Sequence, residues 1–190
     1  MRQCIFDKSN NIDSDVVRRG DKDIITGNVS WYAFVPDNPE IFGHIIVTVE
    51  QPCIREIISE SEEVINEALK RMSEGIKVMS DLIKKIDNVQ RIYVAMLGET
   101  DSVHMHYHII PRYGFIDEIE INKWAEKNRF DRGIIEWQRF YSHPTLGFQS
   151  LDGFQYLGEI ERSYNQAKRV IGEKPSSELI KEIVNRIKNL

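Results

Sequence analysis

Three histidines stand at alternate positions in the stretch DSVHMHYHIIPRYG, residues 101–114. Alternate residues of a β-strand face the same side of the sheet, so the spacing predicts a strand with His104, His106 and His108 in one row. The residues between them are apolar or aromatic and can face a core. The whole chain has only five histidines. We interpret the row as functional, because imidazole acts as base, nucleophile and metal ligand near neutral pH.

The surrounding segments predict an antiparallel sheet covered by a long helix. The runs WYAFVPDNPE and GHIIVTVE are typical of two strands joined by a turn, and RIYVAML is typical of another. Residues 59–86 repeat apolar side chains every three or four positions, which predicts an amphipathic helix. Ser59 and Glu62 fit a capping box at its start. The histidine strand should end at Pro111 and Gly114, with Arg112 facing solvent. The predicted fold class is α+β.

The pattern changes after Gly114, and we predict two parts. Residues 1–115 would form the sheet-and-helix domain, and residues 116–190 a helical C-terminal extension. In the last segment, PSSELIKEIVNRIKNL, Ile180, Ile183 and Ile187 share one helical face.

Composition excludes several function classes. The formal net charge of −5 gives no overall basic field for nucleic acid, so we expect no nucleic-acid partner. No apolar run approaches the roughly 20 residues of a membrane helix, and the first residues lack the apolar run of a signal peptide. Two cysteines make no disulfide framework. A cytoplasmic protein without a membrane partner is the expectation.

Two chemistries suit the histidine row. In the first, histidines bind zinc, aided by an acid such as Asp101 or by His44 on another strand. In the second, the central imidazole of His106 attacks a phosphorus atom and forms a phosphohistidine-type intermediate. The flanking histidines would then fix its tautomer and stabilise charge on phosphate oxygens.

The stretch HMHYHIIPR resembles the signature of the histidine triad family, His-x-His-x-His followed by apolar residues. NPEIFGHIIV resembles the family's strand with Gly-His, and CIF near the start resembles its first strand. The long helix and the RIYVAMLGE strand follow in the family's order. The resemblance covers about residues 3–114. It implies an antiparallel sheet with helices that binds nucleotides, often as a homodimer.

The resemblance also implies roles for individual residues. His106 would be the nucleophile that forms a nucleotidyl-histidine intermediate. His104 and His108 would line the phosphate site, and His44 would orient the triad from the neighbouring strand. This chemistry requires no metal cofactor.

Substrate-binding residues follow from the same resemblance. Phe6 would help to wall the base pocket, and Asp37 would bind the ribose hydroxyls. Asp37 stands one position later than the family's acid, so Asn38 is an alternative. Ser102 would assist the leaving group, although Asp101 occupies the family's usual Ser or Thr position. An acid there would repel phosphate, so Asp101 should point away.

A structural zinc ion is a further possibility. Some bacterial members of the family hold zinc with two cysteines and two histidines. Here Cys4, Cys53 and His104 are candidate ligands, with Asp7 in place of the second cysteine. The alternative is that both cysteines are buried free thiols.

The expected function is that of an enzyme, a nucleotide hydrolase or nucleotidyl transferase. Its substrate would be a small nucleotide conjugate such as a phosphoramidate or a dinucleoside polyphosphate, cleaved at the α-phosphate. One alternative is a nucleotide-binding regulatory module with little turnover. Another is a zinc hydrolase that uses the triad as ligands.

Overall fold

The computed structural model describes residues 16–20, 30–36, 43–49, 61–96, 105–113 and 177–190. Five strands and two helices lie in these ranges. In chain order they are β1 (Val16–Arg19), β2 (Tyr32–Phe34), β3 (Ile45–Thr48), α1 (Glu62–Ile83), β4 (Val89–Ala95), β5 (His106–Tyr113) and α2 (Ser177–Lys188).

The strands form one antiparallel sheet in the order β1-β2-β3-β5-β4. The predicted pairing of the first two sequence runs is confirmed, with Ala33 opposite Val47. The histidine strand lies between β3 and β4, where both of its edges can be hydrogen-bonded. Together with the helix, this arrangement confirms the α+β class. The sequence interpretation did not include β1, and the CIF segment lies outside the described residues.

Helix α1 begins later than the capping-box pattern indicated. Its N-cap is Ser61, whose Oγ accepts a hydrogen bond from Val64 N at 3.4 Å. The prediction of Ser59 as the cap is therefore wrong. Glu62 and Glu63 occupy the first turn, where negative charge interacts favourably with the helix dipole.

The buried face of α1 includes Met72, Met79 and Ile83 of the predicted apolar repeat, together with two small residues. Its centre contains Ala68, Met72, Gly75 and Met79, whereas Ile76 is only half-buried. A Cβ on Gly75 would lie 2.8 Å from both Trp31 Cδ2 and Val47 Cγ1. The helix thus uses a residue without a side chain to approach the sheet closely, which hydrophobic periodicity cannot reveal.

The core lies between α1 and one face of the sheet. Ile45, Val47 and Ile109 contribute to that cluster from the adjacent strands β3 and β5. The predicted apolar face of the histidine strand is confirmed, since Met105 and Ile109 are buried in the cluster and Tyr107 packs against it.

Helix α2 belongs to the same hydrophobic cluster. Ile183 and Ile187 are buried as the periodicity predicted, together with Val184. The boundary proposed at residue 115 stays a prediction. Among the described residues, no helix is both long and apolar enough to cross a membrane.

Pro111 does not end the histidine strand, as the sequence interpretation had expected. Strand β5 continues through it to Tyr113, and Pro111 lies opposite Ile92 of β4. The pairing with β3 reaches only as far as Ile109. Beyond that residue β5 has one paired neighbour in the described strands, so a missing backbone N–H is easier to accommodate.

Candidate active site

The first histidine of the site, His44, directly follows Gly43, a glycine in the left-handed conformation. Gly43 has a φ of +84°, a conformation that other residues rarely adopt. A Cβ at this position would lie 3.1 Å from Ile86 Cδ1 and 3.2 Å from Pro111 Cγ. The turn therefore requires glycine for conformation and for space. His44 follows directly and leads into β3.

The register between β3 and β5 gathers the polar side chains on one face. His108 lies opposite Ile46, and His106 lies opposite Thr48. Directly paired residues of antiparallel strands share a face. His44 alternates with Ile46 and Thr48, so its ring is on that face too. This face is opposite to the one that packs on α1.

Three imidazoles form a chain of contacts across the two strands. His44 Nε2 lies 2.8 Å from His108 Nδ1, and His108 Nε2 lies 2.9 Å from His106 Nε2. The ring centroids are 5.0 Å and 4.7 Å apart, respectively. His108 thus uses both ring nitrogens and connects the other two. A neutral imidazole has one N–H, so His108 donates at one end and accepts at the other.

Burial keeps two of the rings uncharged. Desolvation is the main cause that lowers the pKa of His44 well below 6.5, and the nearby His108 and His106 add to it. Desolvation and then His106 lower the pKa of His108 to about 4. Both imidazoles are therefore neutral at physiological pH. All three rings are buried, with His106 the most exposed at 6%.

A buried guanidinium lies further along the same row of β5. Arg112 is 6% exposed and its Nη1 donates to Tyr93 Oη at 3.0 Å. The expectation that Arg112 faces solvent is wrong. The strand continues past Pro111 and turns this side chain onto the histidine face, where Tyr93 of β4 accepts from it.

Sequence reasoning missed Thr48. This residue is 1% exposed and its Oγ1 donates to Met105 O at 2.9 Å. The alternation in HIIVTVE places Thr48 on the same face as His44, and that was the available signal. Its position opposite His106 depends on the register, which the sequence did not show.

The structure brings together His44, His106 and His108 of the predicted site residues. The remaining candidates lie outside the described residues. They are His104, Phe6, Asp37 with its alternative Asn38, Ser102 with its alternative Asp101, and the possible zinc ligands Cys4 and Cys53 with Asp7. Among the side chains that are described, no three His, Cys, Asp or Glu residues are placed to hold a metal ion.

A solved protein structure shows a distant similarity to this chain. No family model matches the chain, and no curated protein matches it. Among solved structures, the C. elegans NitFhit protein is similar with a TM-score of 0.39 and 16% sequence identity. The match covers 66% of this chain and 27% of that one, so the chain spans about a quarter of that protein's length.

Proposed function

We propose that the protein is a nucleotide hydrolase or nucleotidyl transferase that uses His106 as its nucleophile. The substrate would be a nucleotide conjugate, such as a nucleoside phosphoramidate or a dinucleoside polyphosphate, attacked at the α-phosphorus. The observation that carries the proposal is the chain of contacts from His44 through His108 to His106. The sequence resemblance to the histidine triad family supports the choice of substrate.

The order of protons along this chain determines which nitrogen can attack. We assign His44 Nε2–H as the donor to His108 Nδ1, and His108 Nε2–H as the donor to His106 Nε2. In this order His106 Nε2 carries a lone pair. A bound phosphate would compete for the His108 N–H through one of its oxygens. The contact between His108 and His106 would then open, and the lone pair would be released toward phosphorus.

The reaction proceeds in two steps. His106 Nε2 forms a bond to the α-phosphorus, while the bond to the leaving group breaks and its electron pair departs with that group. The leaving group takes a proton, for which the Ser102 hydroxyl is the proposed source. Water then attacks phosphorus and returns a proton to the Ser102 oxygen, and the P–N electron pair returns to Nε2. In a transferase, an acceptor molecule takes the place of water.

The neutral state of His108 and His44 favours this reaction, because each residue has a separate role in presenting one N–H to the phosphate. His108 has one N–H to offer, and the neutral His44 stabilises the tautomer that offers it through Nε2. A hydrogen bond from a preorganised, buried donor to a phosphoryl oxygen stabilises charge that develops there. Solvation would weaken that interaction, so the burial of the site is favourable.

A zinc hydrolase that uses these imidazoles as ligands is less well supported. The two nitrogens of His108 are occupied by its histidine neighbours at 2.8 Å and 2.9 Å. Zinc ligands instead direct their nitrogens at one common point, about 2.0–2.1 Å away. A structural zinc at Cys4, Cys53 and His104 is a separate proposal and takes no part in the steps above.

Trapping of the covalent intermediate tests the proposal. The protein is mixed with radiolabelled adenosine phosphoramidate or diadenosine polyphosphate and quenched in alkali, and label on the protein is measured. Wild-type protein should carry label that mass spectrometry locates at His106. His106→Ala should abolish it, and Tyr107→Phe should keep it because Tyr107 faces the opposite side of the sheet.

Each alternative gives a different result. Label that survives His106→Ala would exclude this nucleophile. Tight nucleotide binding by wild-type protein, without label or turnover, would identify a regulatory module. Activity that chelation removes and zinc restores, again without label, would identify the zinc hydrolase.

A further inference from the structure

Thr48 is a buried polar residue that is paired with the proposed nucleophile, His106. It is the last residue of β3, it lies opposite His106, and its side chain is 1% exposed. A buried hydroxyl needs a hydrogen-bond partner, because an unpaired one is costly. The identity of that partner is therefore informative.

The hydroxyl proton of Thr48 has one good acceptor among the described residues. Oγ1 lies 2.9 Å from Met105 O and 3.4 Å from Val49 O. A hydroxyl has a single proton, and O–H···O bonds are usually 2.5–3.0 Å long. The Met105 carbonyl therefore receives it. This carbonyl belongs to the peptide group that joins Met105 to His106.

Thr48 pairs with the first residue of strand β5, His106. The ladder with β4 runs from Tyr113 to His108, where Ala95 is its last described partner. His108 is paired on both sides, with Ile46 and Ala95. Thr48 thus contributes a backbone partner and a side-chain hydrogen bond at the point where the strand begins.

We propose that Thr48 is a positioning residue for His106. Its hydroxyl fixes the Met105–His106 peptide plane, and this sets the direction in which the His106 side chain leaves the strand. The contact of His106 Nε2 with His108 Nε2 depends on that direction. The consequence for catalysis rests on the function proposed above, whereas the effect on the His106 ring does not.

Two comparisons isolate the effect of the Thr48 hydroxyl: wild type against Thr48→Val, and Thr48→Ser against Thr48→Ala. Thr48→Val replaces it with a methyl group of similar size. Thr48→Ser keeps it, and Thr48→Ala differs from the serine variant in the hydroxyl alone. The valine and alanine variants should form labelled protein from adenosine phosphoramidate roughly 10- to 100-fold more slowly in single-turnover experiments, since small misplacements of reacting groups cost about that much. The serine variant should stay within about threefold of wild type, and substrate affinity should change little in any of them.

Ile45→Val is the matched control for lost packing. Ile45 is fully buried in the same strand and belongs to the α1-facing cluster. This variant should melt at a lower temperature yet label at the wild-type rate. If a Thr48 substitution affected only stability, that variant would also melt at a lower temperature and label at the wild-type rate.

Heteronuclear NMR of the histidine rings provides a readout without turnover. Thr48→Val and Thr48→Ala should shift the ring signals of His106 while those of His44 stay in place, and Thr48→Ser should restore them. Unchanged His106 signals in both variants would overturn the proposal, as would equal changes in all rings. If wild-type protein acquires no label but the His106 signals respond as expected, the proposed function fails and the positioning role of Thr48 stands.

Discussion

The low pKa of His108 makes stability depend on pH in a predictable direction. Its pKa is about 4 in the folded protein, against 6.5 for an unperturbed histidine. Above pH 6.5 the ring is neutral in the folded and unfolded states, and it adds no pH dependence. Below that value the unfolded chain binds a proton that the folded protein does not, until the pH approaches the folded pKa. Stability is therefore lost as the pH falls.

The size of the effect follows from proton linkage. Between about pH 7.5 and about pH 5, His108 alone should lower the free energy of unfolding by about 2 kcal/mol. His44 adds to the loss in the same direction, because its pKa is lowered as well. Carboxylates and the other histidines also titrate, so the informative quantity is a difference between two proteins.

Urea unfolding followed by far-UV circular dichroism at the two pH values measures this difference. His108→Gln removes the titrating ring, and its loss of stability between the two pH values should be smaller than that of wild type by about 2 kcal/mol. Ile45→Val should be less stable at both pH values and lose as much as wild type between them. An equal pH dependence in His108→Gln and wild type would refute the assignment of a buried, neutral His108.

Three further substitutions test the supports of the site. Gly43→Ala should destabilise the protein by about 1–3 kcal/mol in urea unfolding, because alanine is strained at positive φ and its Cβ crowds the core. Gly75→Ala improves helix propensity by about 1 kcal/mol, but its Cβ would lie 2.8 Å from the Trp31 ring. The net result in thermal melts should be a loss of about 1–2 kcal/mol. Tyr93→Phe removes an acceptor from the buried Arg112 and should cost about 1–2 kcal/mol by the same assay. A more stable Gly75→Ala, or an unchanged Tyr93→Phe, would contradict these packing and hydrogen-bond arguments.

The sequence predicted the parts of the fold that depend on local periodicity. Alternation in HMHYH was enough to assign a strand, to place His106 and His108 on one face, and to place Ile109 in the core. The 3.6-residue repeat was enough to find α1. Each of these patterns reports which side of its own element is apolar, and that information is local.

Features that depend on contacts between elements were missed or wrong. Arg112 looked like a solvent-facing residue after a proline, because the sequence does not show that Tyr93 pairs with Ile110 on the adjacent strand and brings its hydroxyl to the guanidinium. Gly75 has no apolar side chain, so a hydrophobic pattern cannot place it at the centre of the buried helix face. The partnership of Thr48 with His106 depends on the strand register, which two short β-branched runs do not specify.

The histidine site is also a non-local feature in the sense of folding kinetics. His44 and His108 are 64 residues apart in the chain, with α1 and β4 between them. Strands β4 and β5 are consecutive and can pair early, whereas docking of β3 must close a much longer loop. Before that docking, His106 and His108 lack His44 and the burial that accompanies it. The low pKa of His108 should therefore develop late in refolding, and a pH-jump experiment that monitors proton release can time the assembly of the site separately from the formation of α1.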